Sequence, residues 1–221
     1  MRRRLRENGL ALVLFGIFAV VLVGQSLAGW GDYNAEERDH GQPAIGFARY
    51  LTTGHFVEAV FENWESEFLQ MGAYVVLTAL LVQKGSPESK GLGGPEAVDA
   101  DPRAHRGDKD APWPVRRGGL ALRLYEHSLS LALLALFAAA FALHVAGGAA
   151  AHNHEQALHG GDPVSVLGFL ATPQLWFQSL QNWQSEFLSV GALVGLAIFL
   201  RQRGSPESKP VDEPDSTTGE V

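Results

Sequence analysis

A 28-residue segment occurs twice in this chain, 119 residues apart, and each copy contains a long apolar stretch. Residues 63–90 read NWESEFLQMGAYVVLTALLVQKGSPESK and residues 182–209 read NWQSEFLSVGALVGLAIFLRQRGSPESK, with 18 of 28 positions identical and no gap. The same shift pairs Asn34 with Asn153, so the similarity extends beyond this segment. A chain repeated in this way is predicted to fold as two similar halves.

Four apolar stretches lie in the two halves, two in each. Residues 10–24 contain no charged side chain, and residues 129–143 contain one polar residue, a serine. Both approach the roughly 20 helical residues that cross a bilayer core of about 30 Å. Residues 68–82 and 187–200 are shorter, but each follows a half-apolar stretch that can continue the helix. The sequence therefore predicts an all-α membrane protein with four transmembrane helices, built from two tandem parallel helical hairpins.

The predicted boundaries follow from these stretches and from the polar segments between them. The first hairpin is predicted over residues 1–90, with helices at about 9–29 and 55–84, and the second over 120–209, with helices at about 124–149 and 173–203. The intervening residues 91–119 and the tail 210–221 are rich in Gly, Pro, Asp and Glu. Because such segments have too little apolar surface to fold by burial, we predict a disordered cytoplasmic linker and a disordered tail.

The distribution of positive charge predicts the orientation. Fifteen of the 17 Lys and Arg residues, Arg2, Arg3, Arg4 and Arg6 among them, lie before the first apolar stretch, between the second and third, or after the fourth. Since positive charge stays on the cytoplasmic side during insertion, both termini and the linker are predicted to be cytoplasmic. A cleaved secretory signal with a small-residue site at residues 26–28 is the alternative for the first stretch, and the recurrence of the pattern favours a retained helix.

Two carboxylates stand directly before the shorter apolar stretches and form a candidate functional pair. Glu67 and Glu186 correspond in the repeat, and each has an asparagine four residues earlier, Asn63 and Asn182. Residues four apart share one helical face, so each carboxyl is predicted to have an amide beside it. The pair is either an interfacial brace that contacts water or part of a pore or proton site, because ionisable residues at membrane depth are usually functional.

Trp64 and Trp183 are predicted to be interface anchors. A helix over residues 56–83 would be about 42 Å long, so its first turns would lie outside the hydrocarbon core, where tryptophan rings are favoured.

On the fourth predicted helix, Gly191 and Gly195 form a G-x-x-x-G pattern. Such a pattern permits close helix approach, and we expect it at an internal interface, with a homodimer as the alternative.

A histidine-rich stretch, AHNHEQALHGGD, lies in the second predicted outer loop. His152, His154 and His159, with Glu155 nearby, could bind zinc or copper, but their spacing matches no recognised ligand pattern. A solvated loop without metal is therefore the preferred interpretation. Haem would need paired axial ligands within the bundle, and the first and second apolar stretches contain no histidine, so no cofactor is expected.

Other functional classes are disfavoured by the composition. The formal net charge is −7, and no basic stripe interleaved with aromatic residues indicates nucleic-acid binding. The chain has no cysteine, and it lacks a Gly-rich phosphate loop, a helical H-E-x-x-H and a G-x-S-x-G. An enzyme is therefore not indicated.

The segment QNWQSEFLSVGALVGLAIFLRQRGSPESK and its twin resemble a family of small bacterial integral membrane proteins known as a domain of unknown function. The resemblance covers the chain outside the linker and the tail. It implies four helices in a bacterial inner membrane, in contact with the lipid bilayer, and it brings no catalytic residue.

Two functions are left open. The first is a structural or partner-binding protein, with a membrane-protein partner or a second copy. The second is a small carrier or channel in which Glu67 and Glu186 share an outer-leaflet vestibule.

Overall fold

The computed structural model describes residues 7–219 of the chain. The amino-terminal arginines Arg2, Arg3, Arg4 and Arg6 and the last two residues of the predicted tail lie outside the described residues. Between residues 7 and 219 the regular elements are helices, and no β-strand occurs there. The predicted all-α class is confirmed.

The α-helices of the described residues are numbered in chain order. They are α1 (Gly9–Asp39), α2 (Phe47–Tyr50), α3 (Gly54–Leu80), α4 (Trp113–Arg117), α5 (Gly119–Glu126), α6 (Ser128–His159), α7 (Val166–Phe169) and α8 (Pro173–Leu196). Two short 3-10 helices, Ala97–Asp99 and Pro102–His105, lie with α4 in the predicted linker. The disorder predicted for residues 91–119 and for the tail stays a prediction about their behaviour in solution.

The chain divides into two compact units. Of the described residues, the first unit comprises 7–61 and 142–175, and the second comprises 62–141 and 176–219. Each unit contains residues from both copies of the repeat.

In the first unit, α3 and α6 approach each other backbone to backbone. A Cβ atom placed on Gly54 would lie 2.5 Å from the backbone nitrogen of Ala151, and one on Gly147 would lie 2.6 Å from the backbone nitrogen of Glu58. Glycine is therefore needed at both contacts, because any side chain would force the helices apart. By contrast, a Cβ on Gly191 or Gly195 meets no described atom within 4 Å, so the predicted G-x-x-x-G pattern is not the close internal contact.

Among the described residues, two helices have the length and apolarity of a membrane span, whereas the sequence predicts four. These helices are α1 and α6, with 31 and 32 residues. Helix α3 has 27 residues but carries several glutamates in its first half, and α8 has 24 residues and begins with a stretch rich in glutamine and asparagine. Their polar halves lower the mean hydropathy of α3 and α8 below that of α1 and α6. The structure of residues 7–219 is therefore all-helical, with two helices that resemble membrane spans.

The ends of the helices differ from the predicted boundaries for local reasons. Helix α3 ends at Leu80 and not near residue 84, and the backbone N–H of Gln83 donates to Ser89 Oγ at 2.8 Å. This serine supplies an acceptor that the helix would otherwise provide, so the chain can leave the helix early. Helix α1 runs on to Asp39, and Gly41 follows with φ of 71°, a conformation that glycine adopts without strain.

The same hydrogen bonds recur at a spacing of 119 residues. In the first unit, Asn34 donates to Ile45 O and accepts from Ile45 N, at 3.1 and 2.7 Å. Asn153 makes the equivalent pair with Val164, at 2.9 and 2.7 Å. The hydroxyls that precede α3 and α8, on Thr53 and Thr172, each donate to a carbonyl three residues earlier at 2.7 Å. The repeated sequence thus specifies repeated local geometry.

Candidate functional site

The predicted acidic pair lies in the second unit, on α3 and α8. Glu67 and Asn63 are exposed, and Glu186 is half-buried and close enough to Glu67 for the two charges to repel. The Nδ2 atom of Asn182 donates to Glu62 Oε1 at 2.7 Å, so this amide serves a different carboxylate from the predicted one. The role of Glu67 and Glu186 as a pore or brace stays a prediction.

The two predicted interface anchors are both half-buried. The ring of Trp183 packs edge-on against Trp176 and Phe137, with centroid distances of 6.5 and 6.3 Å. Its indole Nε1 is buried and has no hydrogen-bond partner among the described residues. In this unit Trp183 therefore serves aromatic packing, and the placement of Trp64 and Trp183 at a lipid interface stays a prediction.

Glu65, two residues before Glu67, is more deeply buried than either acid of the predicted pair. Glu65 is 0% exposed, and the buried Ser179 hydroxyl donates to its Oε1 at 2.6 Å. No sequence pattern singled out this residue. One signal could have found it: Glu65 aligns with Gln184 in the repeat, so the carboxylate belongs to one copy only.

The three histidines of the candidate metal set lie in the first unit and contact different groups. His152 Nδ1 is 2.8 Å from Gln174 Oε1, His154 Nε2 is 2.6 Å from Glu37 Oε1, and the ring of His159 packs edge-on against His40. No group of three or more His, Asp or Glu side chains that could hold a metal ion occurs within residues 7–219. The three histidines are therefore not gathered into a ligand set.

Two of these histidines, His152 and His154, line a cavity of the first unit, which we call the His/Glu cavity. Its volume is about 520 Å³. It is lined by Tyr33, Glu36, Glu37, His40, Gln42, Pro43, Ile45, Arg49, Thr52, Thr53, Gly54, His55, Glu58, Ala150, Ala151, His152, His154, Glu155, Leu158 and Gln174. Binding sites for small molecules have volumes of roughly 300–1,000 Å³ and a few convergent polar groups, which this cavity matches.

A hydrogen-bonded triad lies at the wall of the His/Glu cavity. His154 Nε2 contacts Glu37 Oε1 at 2.6 Å and the Tyr33 hydroxyl at 3.3 Å. The Glu37 side chain is 8% exposed, whereas that of His154 is 45% exposed. With a proton on Nε2 the imidazole donates to the buried carboxylate, so this contact offsets the cost of burying the charge.

A second tyrosine–histidine pair supports the same wall. The Tyr50 hydroxyl lies 3.2 Å from His55 Nδ1, and the ring of Tyr33 packs against the rings of both residues at 5.7 and 5.5 Å. Burial raises the pKa of Tyr50, with a further contribution from the nearby negative charge of Asp32. The phenol therefore stays neutral and fixes the orientation of His55.

The sequence predicted His154 as a weak metal candidate and missed the other members of the triad. Glu37 and Tyr33 lie 117 and 121 residues away along the chain from His154, so no local pattern joins them. A comparison of the two copies gives the available signal. The other copy has a different residue at each equivalent position. It has His152 for Tyr33, Gln156 for Glu37 and Ala35 for His154.

Within residues 7–219, these observations define a class of protein, an all-helical chain with two helices suited to crossing a membrane and a cavity lined in part by residues of those two helices. The chain belongs to the family described as a domain of unknown function (DUF6766), whose model matches residues 1–220. No curated protein and no solved structure matches the chain.

Proposed function

We propose that the protein is an integral membrane protein that acts by binding a small polar molecule in the His/Glu cavity. The cavity itself carries this proposal. It combines a ligand-sized volume with the buried carboxylates of Glu37 and Glu58 and the buried phenol of Tyr33, and a few convergent polar groups of this kind are typical of small-molecule sites. None of the common catalytic sequence patterns accompanies it, so binding is favoured over catalysis.

The exposure of the apolar helices supports insertion in a membrane. In the span-like parts of α1 and α6, only 6% and 17% of the residues are buried within the protein. Side chains such as Leu10, Phe15 and Val20 are more than two-thirds exposed. A core helix of a water-soluble protein would bury such residues, whereas lipid is a favourable surrounding for them.

We further infer four membrane-spanning helices arranged as two tandem parallel hairpins, with α3 and α8 as the returning helices. The support is the repeat, because α3 and α8 occupy equivalent positions in the two copies. The distribution of Lys and Arg supports a multi-pass protein of a bacterial cytoplasmic membrane with both termini inside. In that topology the His/Glu cavity opens on the outer side.

Topology reporters test this arrangement. Reporters fused after Lys90 and after Lys209 should give a cytoplasmic signal, and one inserted near Asn153 should give an exterior signal. A cytoplasmic signal near Asn153 would contradict the four-helix topology and would place the cavity on the inner side.

Ligand binding is tested with the purified full-length protein in detergent. Probes of three charge types, 1,4-diaminobutane, glucose and succinate, are added while the thermal unfolding midpoint is followed. A bound ligand at 100 times its Kd stabilises the folded state by about 2.7 kcal/mol, so at least one probe should raise the midpoint. The variant Thr52→Trp, at an exposed position of the lining, should abolish that rise by filling the cavity. An unchanged midpoint with all three probes would contradict the proposal.

A carrier or channel is the second candidate, favoured by acids on α3 and α8 of the second unit. Glu65 is fully buried against Ser179, and Glu67 and Glu186 lie close enough to repel. Carboxylates within a proposed membrane segment are expensive and usually functional. Proton or cation flux in reconstituted vesicles that disappears in Glu65→Gln or Glu67→Gln would favour this candidate, and absence of flux in the wild type would exclude it for the ions tested.

A further inference from the structure

The fixed charges around the His/Glu cavity are mostly negative. Four carboxylates line it, Glu36, Glu37, Glu58 and Glu155, and Arg49 is the one Lys or Arg among the described residues of its lining. With neutral histidines the lining carries a net charge of −3, which follows from four acids and one arginine. A region of low dielectric with this excess attracts positively charged molecules.

Two of these carboxylates are buried, and burial strengthens the attraction. Glu37 and Glu58 are both less than a tenth exposed. A carboxylate removed from water is stabilised by a nearby cation or by donated hydrogen bonds. A cation that enters the cavity would therefore interact with these groups more strongly than with acids on the open surface.

A comparison of the two copies separates the scaffold from the charges that are specific to the cavity. Glu36 and Glu155 are equivalent in the repeat, and so both copies have an acid there. Glu37 aligns with Gln156 and Glu58 aligns with Phe177, and neither of these counterparts lines the cavity. The buried acids thus occur only in the copy where the side chain faces the cavity, which favours a role in binding over a role in folding the repeat.

The size and the arrangement of the groups favour an organic cation over a metal ion. Within residues 7–219 no three His, Asp or Glu side chains are gathered closely enough to hold a metal. The cavity volume of about 520 Å³ also far exceeds what a single ion fills. Organic ammonium groups need only scattered hydrogen-bond acceptors, and the carboxylates of the lining provide them.

We propose, building on the binding function above, that the ligand is a small organic cation with one or two ammonium groups. The titratable or charged groups that face the cavity come from every element around it. They are Tyr33, Glu36, Glu37 and His40 on α1, Arg49 on α2, His55 and Glu58 on α3, and His152, His154 and Glu155 on α6.

Calorimetric titration of the full-length protein with 1,4-diaminobutane tests the proposal. The probe carries two positive charges at pH 8, because alkylammonium groups such as that of lysine have pKa values of about 10.4. The variant Glu37→Gln should lower the affinity at least tenfold at pH 8, and the matched variant Gln156→Glu, at the equivalent position outside the cavity lining, should leave it unchanged.

Binding of succinate or glucose without binding of the diamine would overturn the cation assignment while leaving the binding function intact. Failure of all three probes to bind would overturn both.

Discussion

The two GSPESK loops have the same sequence and the same local structure. The N–H of Gln83 donates to Ser89 Oγ at 2.8 Å, and that of Gln202 donates to Ser208 Oγ at 2.8 Å. A second hydrogen bond also recurs, from Glu88 N–H to Ser86 Oγ and from Glu207 N–H to Ser205 Oγ, at 3.2 Å in both loops. Six identical residues therefore form one turn in two places, because all of these bonds lie within a few residues.

The lysines that end these loops have different surroundings. Lys90 is partly exposed and its Nζ donates to Asp99 Oδ1 at 2.8 Å. Lys209 is 2% exposed, and its Nζ donates to the carbonyl oxygens of Gly85 at 2.7 Å and Asp215 at 3.0 Å. Two further carbonyls, of Pro214 and Thr217, lie at 3.3 Å. The loop sequence sets the turn, whereas other parts of the chain decide what the lysine contacts, namely Asp99 for Lys90, and Gly85 and residues 214–217 for Lys209.

The largest difference between the copies is expected from the two lysines. Lys209→Met should destabilise the protein by about 3 kcal/mol, because several buried carbonyls lose a charged donor. Lys90→Met should cost well under about 1 kcal/mol, because an exposed ion pair contributes little. Thermal unfolding in detergent measures both changes, and limited proteolysis of residues 210–219 should accelerate only in the first variant. Equal effects would show that the buried contacts of Lys209 do not form in solution.

A smaller effect is expected from the paired asparagines of the first unit. Asn34→Ala and Asn153→Ala each remove two hydrogen bonds to a loop backbone, and each should destabilise the protein by about 2 kcal/mol. Asn34 is the more buried of the two, so its variant should be the less stable. Unfolding midpoints measured side by side check the ranking, and a harmless Asn34→Ala would contradict it.

The serines of the two loops should show smaller and nearly equal effects. Ser89→Ala and Ser208→Ala each remove the hydroxyl that accepts from a backbone N–H, at a cost of about 1 kcal/mol. The expected result is the same shift of the unfolding midpoint in both variants. A shift in one variant alone would show that the identical loops do not contribute alike.

The smallest effect is expected in the pH dependence of the ion pair between Lys90 and Asp99. The hydrogen bond from Lys90, with a further bond from the Glu96 N–H, holds the pKa of Asp99 below its usual range. A lowered pKa means that this contribution to stability is present above about pH 4 and is lost as the pH falls through the folded-state pKa. Carbon-detected NMR should show the pKa of Asp99 rising in Lys90→Met and unchanged in Lys209→Met. A rise in the second variant would link the two loops.

Much of the helical structure could be predicted from local sequence. The uncharged residues 10–24 and 129–143 lie within α1 and α6, and the Thr-Pro pair at residues 172–173 marks the start of α8. These signals are local, because apolar runs and hydroxyl caps act within a few residues. The helix ends were less predictable, since α3 stops at Leu80 on account of a serine nine residues further on.

The sequence by itself determined the helical class, the two-fold repeat and the turn geometry common to both copies. Only the tertiary structure decided which polar groups meet, as when His154 contacts Glu37 and Tyr33, or when Ser179 contacts Glu65. The physical reason is distance along the chain. Hydrogen bonds within a turn are fixed by the residues that form it, whereas contacts between residues more than 100 positions apart depend on how whole helices pack, which the identity of a single residue does not specify.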